Sequence, residues 1–279
     1  MDRRQFAGTL LGIGAALALP RSASASASAS ASAAPDAVRA VVVQDWASGR
    51  VLHRAGPCAA RLSPCSSFKV PLALMGFDAG VLHDAHHPAW DYDPKRHQAS
   101  RAVDKQRTDP TQWEANSVVW FSQQLTRRLG EAKFKAYVDR FGYGNRDVRG
   151  NPGKHDGLTQ SWLTSSLAIS PDEQVAFLRR MLAHQLVSPR AHALTEAIVP
   201  MFVGADSWRV RGKTGSGSLE ASVPGAARPA LGWFVGWAEK AGRRVLFAAA
   251  GTGAAIPTGL AGGPVTRDAF LAQIGRLAG

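Results

Sequence analysis

LGWFVGWAEKAGRRVLFAAA, residues 231–250, is the stretch that decides the fold. Its parts 231–239 and 244–250 read as two consecutive strands, and 208–212 upstream reads as a third. At the other end of the chain, 38–44 is a β-branched run. Asp45-Trp46-Ala47-Ser48-Gly49 is turn chemistry, and 50–54 resumes alternation, so a β-hairpin is expected there. Between these strands the apolar period is helical. Residues 66–82 carry Phe68, Leu72, Met75 and Leu82 on one face, with Pro71 tolerated in the first turns. Helices are also expected at 112–129, at 131–141, at 171–185 behind the start signal Ser170-Pro171-Asp172, and at 191–199. Residues 56–64, 83–110 and 142–160 read as loops, the second a long polar surface connection. An amphipathic helix, 265–277, closes the chain. Strands at both ends with helices between them predict an α/β (α+β) fold: an antiparallel sheet flanked by terminal helices, with a helical subdomain of about 83–185 inserted in it.

The first 34 residues read as a signal peptide followed by a Ser/Ala tract. Arg3 and Arg4 precede an apolar run, 6–19, and residues 22–34 offer small-residue cleavage options. The run is shorter than the roughly 20 residues of a spanning helix. The twin arginine points to the Tat route, with an ordinary Sec signal as the alternative. Either route implies a periplasmic protein with no stable membrane insertion once the segment is removed. Residues 35–279 then form one catalytic domain, and a 45% hydrophobic content supplies its core. The formal charge of +12 comes from scattered Lys and Arg, with no basic run interleaved with aromatics, so nucleic acid is not an expected partner. A basic surface of this kind attracts small anions. Cys58 and Cys65 are the two cysteines. An oxidising compartment favours a disulfide between them, worth on the order of 2 kcal/mol for so small a loop; the alternative is two free thiols. His83, His86 and His87 lie in a polar loop without a second ligand set, and no metal is expected there.

Four short words carry the chemistry. Ser66 and Lys69 stand three apart in Ser66-Ser67-Phe68-Lys69, which on a helix puts both side chains on one face. A serine hydroxyl is a poor nucleophile until a base takes its proton, and Lys69 is the nearest candidate. Lys213-Thr214-Gly215 follows a strand, where a glycine lets a ligand lie close to the edge and Lys213 and Thr214 can engage a carboxylate. S-x-x-K together with K-T-G is shared by penicillin-binding proteins and class A β-lactamases. The remaining words are Ser117-Val118-Val119 and Tyr143-Gly144-Asn145. Where class A has Ser-Asp-Asn, this chain resembles the S-x-V of the class D (oxacillinase-type) β-lactamases, and Tyr143-Gly144-Asn145 resembles their Y-G-N. Trp162-Leu163, residues 64–71 and the strand 232–237 are similar to the same family, and the likeness spans essentially the whole mature chain.

That resemblance implies roles by position. Ser66 is the nucleophile acylated by the β-lactam. The N–H groups of Ser66 and Ser216 form the oxyanion hole. Lys69 is N-carboxylated by CO2 and acts as general base in both half-reactions. Trp162 donates to the carbamate, and Ser117 relays a proton to the leaving nitrogen. Val119, Lys213, Thr214, Gly215 and Arg267 bind substrate, with Lys213, Thr214 and Arg267 toward its carboxylate, while Tyr143, Gly144 and Asn145 shape the surroundings. No cofactor beyond CO2/bicarbonate is implied. Two other readings use related motifs: a β-lactam sensor that stays acylated, and a peptidoglycan DD-peptidase. The class D middle motif and Trp162 count against the second, and the cleavable N-terminal segment against the first.

Overall fold

The computed structural model describes residues 40–220 and 226–279. The expected signal segment lies outside them. One antiparallel sheet of six strands has the order β2-β1-β6-β5-β4-β3. Its strands are β1 (Ala40–Asp45), β2 (Val51–Ala55), β3 (Met201–Val203), β4 (Arg209–Ser218), β5 (Ala230–Lys240) and β6 (Arg243–Thr252). Between β2 and β3 come α1 (Lys69–Asp78), α2 (Pro110–Asn116), α3 (Val119–Leu129), α4 (Glu131–Phe141), α5 (Gly157–Gln160), α6 (Pro171–Leu182) and α7 (Pro189–Ile198). After β6 come α8 (Gly262–Leu271) and α9 (Ile274–Ala278).

The sheet separates two cores. Leu231, Trp233, Val235 and Trp237 of β5 point toward α1 and α6, while Phe234 and Ala238 point toward Phe270, Ile274 and Leu277 of α8 and α9. This burial on both faces is why 231–239 reads as a nearly continuous apolar run rather than an alternating one. β5 and α8 meet closely: a Cβ on Gly232 would lie 2.1 Å from the Gly262 carbonyl oxygen. Ser170 caps α6 as its sequence predicts, its hydroxyl accepting from Glu173 N while Glu173 reaches back to Ser170 N.

The structure differs from the sequence reading at places that matter for function. The run 112–129 is two helices, broken at Ser117, which caps α2 with φ +61°. β4 continues past 212 to Ser218, held in register with β5 from Arg209↔Glu239 to Ser218↔Ala230. β3 is a short strand that pairs with β4 only at Arg209–Arg211. Beyond that point β4 has an open edge among the described residues. The connection 83–110 is partly internal, because Trp90 pairs with Thr108 and the Trp120 indole donates to the Asp104 carbonyl at 2.6 Å.

Candidate active site

The nucleophile segment is a 3₁₀ turn, Cys65–Phe68, that runs directly into α1. The first N–H groups of a helical segment have no intrahelical acceptor, so Ser66 stands where backbone donors face outward. Cys65, just before it, is held at φ +50°, a conformation costly for a side-chain-bearing residue. Two contacts hold it there. Cys65 N donates to the Trp162 carbonyl at 2.9 Å, and the turn presses on β4 at Gly215. A Cβ at Gly215 would lie 2.8 Å from the Pro64 carbonyl oxygen and 3.0 Å from Ser67 N. Glycine is what allows the Ser66 turn to sit against the open strand edge.

Lys69 is completely buried, and its Nζ lies 3.4 Å from Ser66 Oγ. Lys213 is also buried, on the α1 side of the sheet, because it pairs with Val235. Its Nζ donates to Ser117 Oγ at 3.0 Å and to the Thr214 carbonyl at 3.1 Å. The α2–α3 break thus has a purpose: the left-handed turn at Ser117 aims its hydroxyl at Lys213, and Val119 opens α3 half-buried beside it. Burial pulls Lys69 down to about 7, and the neighbouring charge of Lys213 pulls the same way, against Glu114 and Asp104. Burial likewise lowers Lys213, to about 8, against Glu114.

Trp162 packs on Phe68, the residue before Lys69, with ring centroids 5.6 Å apart. It is fully buried, and its indole N–H has no acceptor. A buried donor without a partner costs about 1–3 kcal/mol, so this N–H is a place where an acceptor belongs. Tyr143 supports the turn from behind. Its hydroxyl meets Gln174 Oε1 at 3.4 Å, and Gln174 Nε2 donates to Ser67 Oγ at 3.1 Å. Asn145 ties the end of α4 to the segment after Trp162, with Nδ2 donating to Ser166 O at 2.8 Å and Oδ1 accepting from Ala168 N at 3.0 Å.

Gly144 between them has φ +55°, and a Cβ there would lie 2.0 Å from the Ala168 carbonyl oxygen. Gly144→Ala is therefore expected to cost about 3 kcal/mol or more, which in a domain of this size lowers Tm by roughly 6–12 °C. Thermal unfolding checks this; an unchanged Tm would show that the loop relaxes freely.

Four further expected residues make side-chain contacts that the sequence did not show. Arg267 makes its own contacts on α8 and β3. Its guanidinium stacks over Phe202 with 5.1 Å to the ring centroid, and its Nε donates to Asp268 at 2.8 Å. Phe202 pairs with Val210 on the α8 side of the sheet, the face opposite Lys213. Ser216 turns its hydroxyl to accept from Gly263 N at 2.9 Å, so its side chain belongs to α8. Cys58 and Cys65 are free thiols, which corrects the expected disulfide. Cys58 Sγ lies 3.0 Å from the Ala55 carbonyl and 3.5 Å from that of Val41, under the hairpin. Cys65 Sγ lies instead against Gly217 of β4. Burial raises both thiols and keeps them protonated. Two of the three histidines in 83–87 pair with carboxylates: His86 with Asp109 at 2.9 Å and His87 with Asp84 at 3.0 Å.

The sequence reading missed Glu114. It is completely buried, neither carboxylate oxygen has a hydrogen-bond partner, and its charge acts on both Lys213 and Lys69. The signal was present: Pro110, Trp113 and Glu114 share one buried helix stripe at i, i+3 and i+4.

Comparison with known proteins agrees with this geometry. Residues 26–271 match the penicillin binding protein transpeptidase domain. The chain is 46% identical over 247 residues to β-lactamase OXA-9 of Klebsiella pneumoniae, covering 88% of this chain and 89% of the relative. It is 37% identical over 201 residues to β-lactamase OXA-1 of Escherichia coli, covering 70% and 68%. The crystal structure of the OXA-427 class D β-lactamase superposes with a TM-score of 0.76 at 41% identity, covering 85% of this chain and 99% of that one. Identity at this level across most of both chains, on one fold, leaves no room for coincidence, and the chain belongs to the class D serine β-lactamases, within the penicillin-binding-protein transpeptidase superfamily.

Proposed function

We propose that the protein hydrolyses β-lactam antibiotics through an acyl-enzyme on Ser66, with an N-carboxylated Lys69 as general base in both half-reactions. The observation that carries this reading is Lys69: fully buried, 3.4 Å from Ser66 Oγ, and depressed to about 7. Carbon dioxide adds only to a neutral amine, and this amine is neutral for much of its time near pH 7. The surroundings fit the carbamate, since the buried indole N–H of Trp162 lacks an acceptor and a carbamate oxygen supplies one. Once formed, the carbamate supplies an anionic base longer than the bare amine.

The rest follows from the chain's own groups. Ser66 Oγ attacks the lactam carbonyl carbon and loses its proton toward Lys69. The developing oxyanion is met by the N–H groups of Ser66 and Ser216 beside the Gly215 edge. The C–N bond breaks, and Ser117, polarised by Lys213 at 3.0 Å, passes a proton to the leaving nitrogen. Lys213 faces the substrate carboxylate, and Thr214 stands at the same edge. Water then attacks the acyl carbon, and Ser66 is released. Residues 1–34 support an exported, periplasmic enzyme, with Arg3 and Arg4 pointing to the twin-arginine route.

The test is turnover of a chromogenic cephalosporin followed across pH. Activity is expected to fall as pH falls through about 7, where Lys69 becomes an ammonium ion, and added bicarbonate is expected to recover part of the loss. A single stoichiometric burst without turnover would select a sensor that stays acylated. Activity indifferent to bicarbonate after acid treatment would remove the carbamate.

A further inference from the structure

Glu114 is a buried carboxylate that the mechanism above does not use. α2 carries it inward with Pro110 and Trp113, and neither of its oxygens meets a donor. A carboxylate in such a place is costly unless charge opposes it. Lys69 comes from α1 and Lys213 from β4, and both act on it. The other charges felt at Lys69 are Asp104 and Arg101, which largely cancel because they pair with each other at 2.6 Å. The site therefore holds two lysines and one carboxylate before any carbon dioxide arrives.

We propose that Glu114 is a positioning residue that sets how readily Lys69 is carboxylated: as an anion it holds the uncarboxylated lysine charged, and it takes up a proton when the carbamate forms. The proposal rests on the carbamate reading given above. The step balances. The Lys69 ammonium, the Glu114 carboxylate and one CO2 give the Lys69 carbamate, a neutral Glu114 and one proton released to solvent. One N–C bond forms and two N–H bonds break; one proton goes to Glu114 and the other to water. Before the step the anion facing the lysines is Glu114, and after it the anion is the carbamate. Both would compete for the field of Lys213, and two adjacent anions in a dry site are disfavoured, so one of them is protonated. Burial raises Glu114 to about 7 against the pull of Lys213 and Lys69, the range to which Lys69 falls, so the two groups exchange a proton at little cost.

The consequence runs opposite to that expected of a helper. Glu114 stabilises the charged amine that cannot react and repels the carbamate that replaces it. Removing its charge favours carboxylation. The test is carbon-13 NMR of the purified protein with labelled bicarbonate, reading the carbamate resonance against dissolved CO2 at several pH values. Glu114→Gln is expected to half-saturate at about tenfold lower CO2, with the pH at which the carbamate is half lost moving down by about one unit. Glu114→Met, which fills the same space without a polar group, is the second variant and is expected to shift the same way. A wild-type carbamate signal with an unmoved or weakened midpoint in both variants overturns the role of Glu114. No carbamate signal in any of the three overturns the carbamate reading itself, and this proposal with it. A merely structural role for Glu114 would lower stability without moving the CO2 midpoint.

Discussion

Lys69→Met is expected to abolish useful turnover while leaving the fold intact. The general base contributes about 10²–10⁴-fold to a proton-transfer step, and under the proposed mechanism the same residue serves acylation and deacylation in turn. The loss in kcat is therefore expected at the upper end, about 10³–10⁴-fold. Intact-mass spectrometry with a penicillin separates the two half-reactions. Adduct on Ser66 should appear slowly and then persist, because the water that must clear it has no base. A loss below tenfold would move the base to another group.

Stability answers in the other direction. Lys69 lies wholly inside the protein and is pulled down to about 7 from the ordinary lysine value of 10.5. The folded-state value is lower than the unfolded one, so the unfolded chain binds more protons between the two. The destabilisation is fully present below about 7 and disappears as pH rises toward 10.5. Lys69→Met removes the charge and keeps the volume, so the variant is expected to unfold no earlier than the wild type at pH 7. Urea midpoints at pH 7 and pH 9 measure this. The wild type should gain on the variant as pH rises, and a wild type that loses ground would contradict the burial of an amine.

The sequence showed most of the chemistry and less of the geometry. The words around Ser66, Ser117, Tyr143 and Lys213 are local, so their presence is visible without a fold, and four of their polar side chains, Ser66 with Lys69 and Ser117 with Lys213, meet as hydrogen-bonding neighbours. The break at Ser117 was not legible, because no glycine or proline marks it. The left-handed turn is held by tertiary contacts, Lys213 on its hydroxyl and Arg101 on the Asn116 carbonyl at 2.6 Å, which propensity does not encode. The extension of β4 to Ser218 was hidden by its Gly, Ser and Thr content, which has weak strand preference but pairs fully with β5. The contacts of Arg267 were hidden for a different reason. A helix period says which residues share a face, and the side of the sheet on which α8 packs follows only from the strand register. Glu114 was overlooked because a glutamate in a helix is ordinarily a solvated residue.

Trp162→Phe is expected to separate the two half-reactions by more than any other single change in the site. Phenylalanine keeps the stack on Phe68 and most of the buried area, while the indole N–H is lost. The carbamate then has no donor from this side, and Lys69 spends most of its time uncarboxylated. Acylation suffers less, because a neutral Lys69 amine already lies 3.4 Å from Ser66 Oγ and can accept its proton directly. Deacylation suffers more. The attacking water must sit over the acyl carbon, beyond the reach of the short amine, and the longer anion that would orient it is missing. Deacylation is expected to slow about 10²-fold, with acylation slowed less than tenfold, so the acyl-enzyme accumulates and intact mass records it at steady state. Saturating bicarbonate should shorten its lifetime in the variant. Trp162→Ala is expected to show the same asymmetry with an added loss of about 3–5 kcal/mol of stability from the cavity. Equal slowing of both steps in Trp162→Phe, with no response to bicarbonate, would mean that the indole matters for packing alone, and that the unpaired N–H beside the nucleophile segment is not a seat for the carbamate.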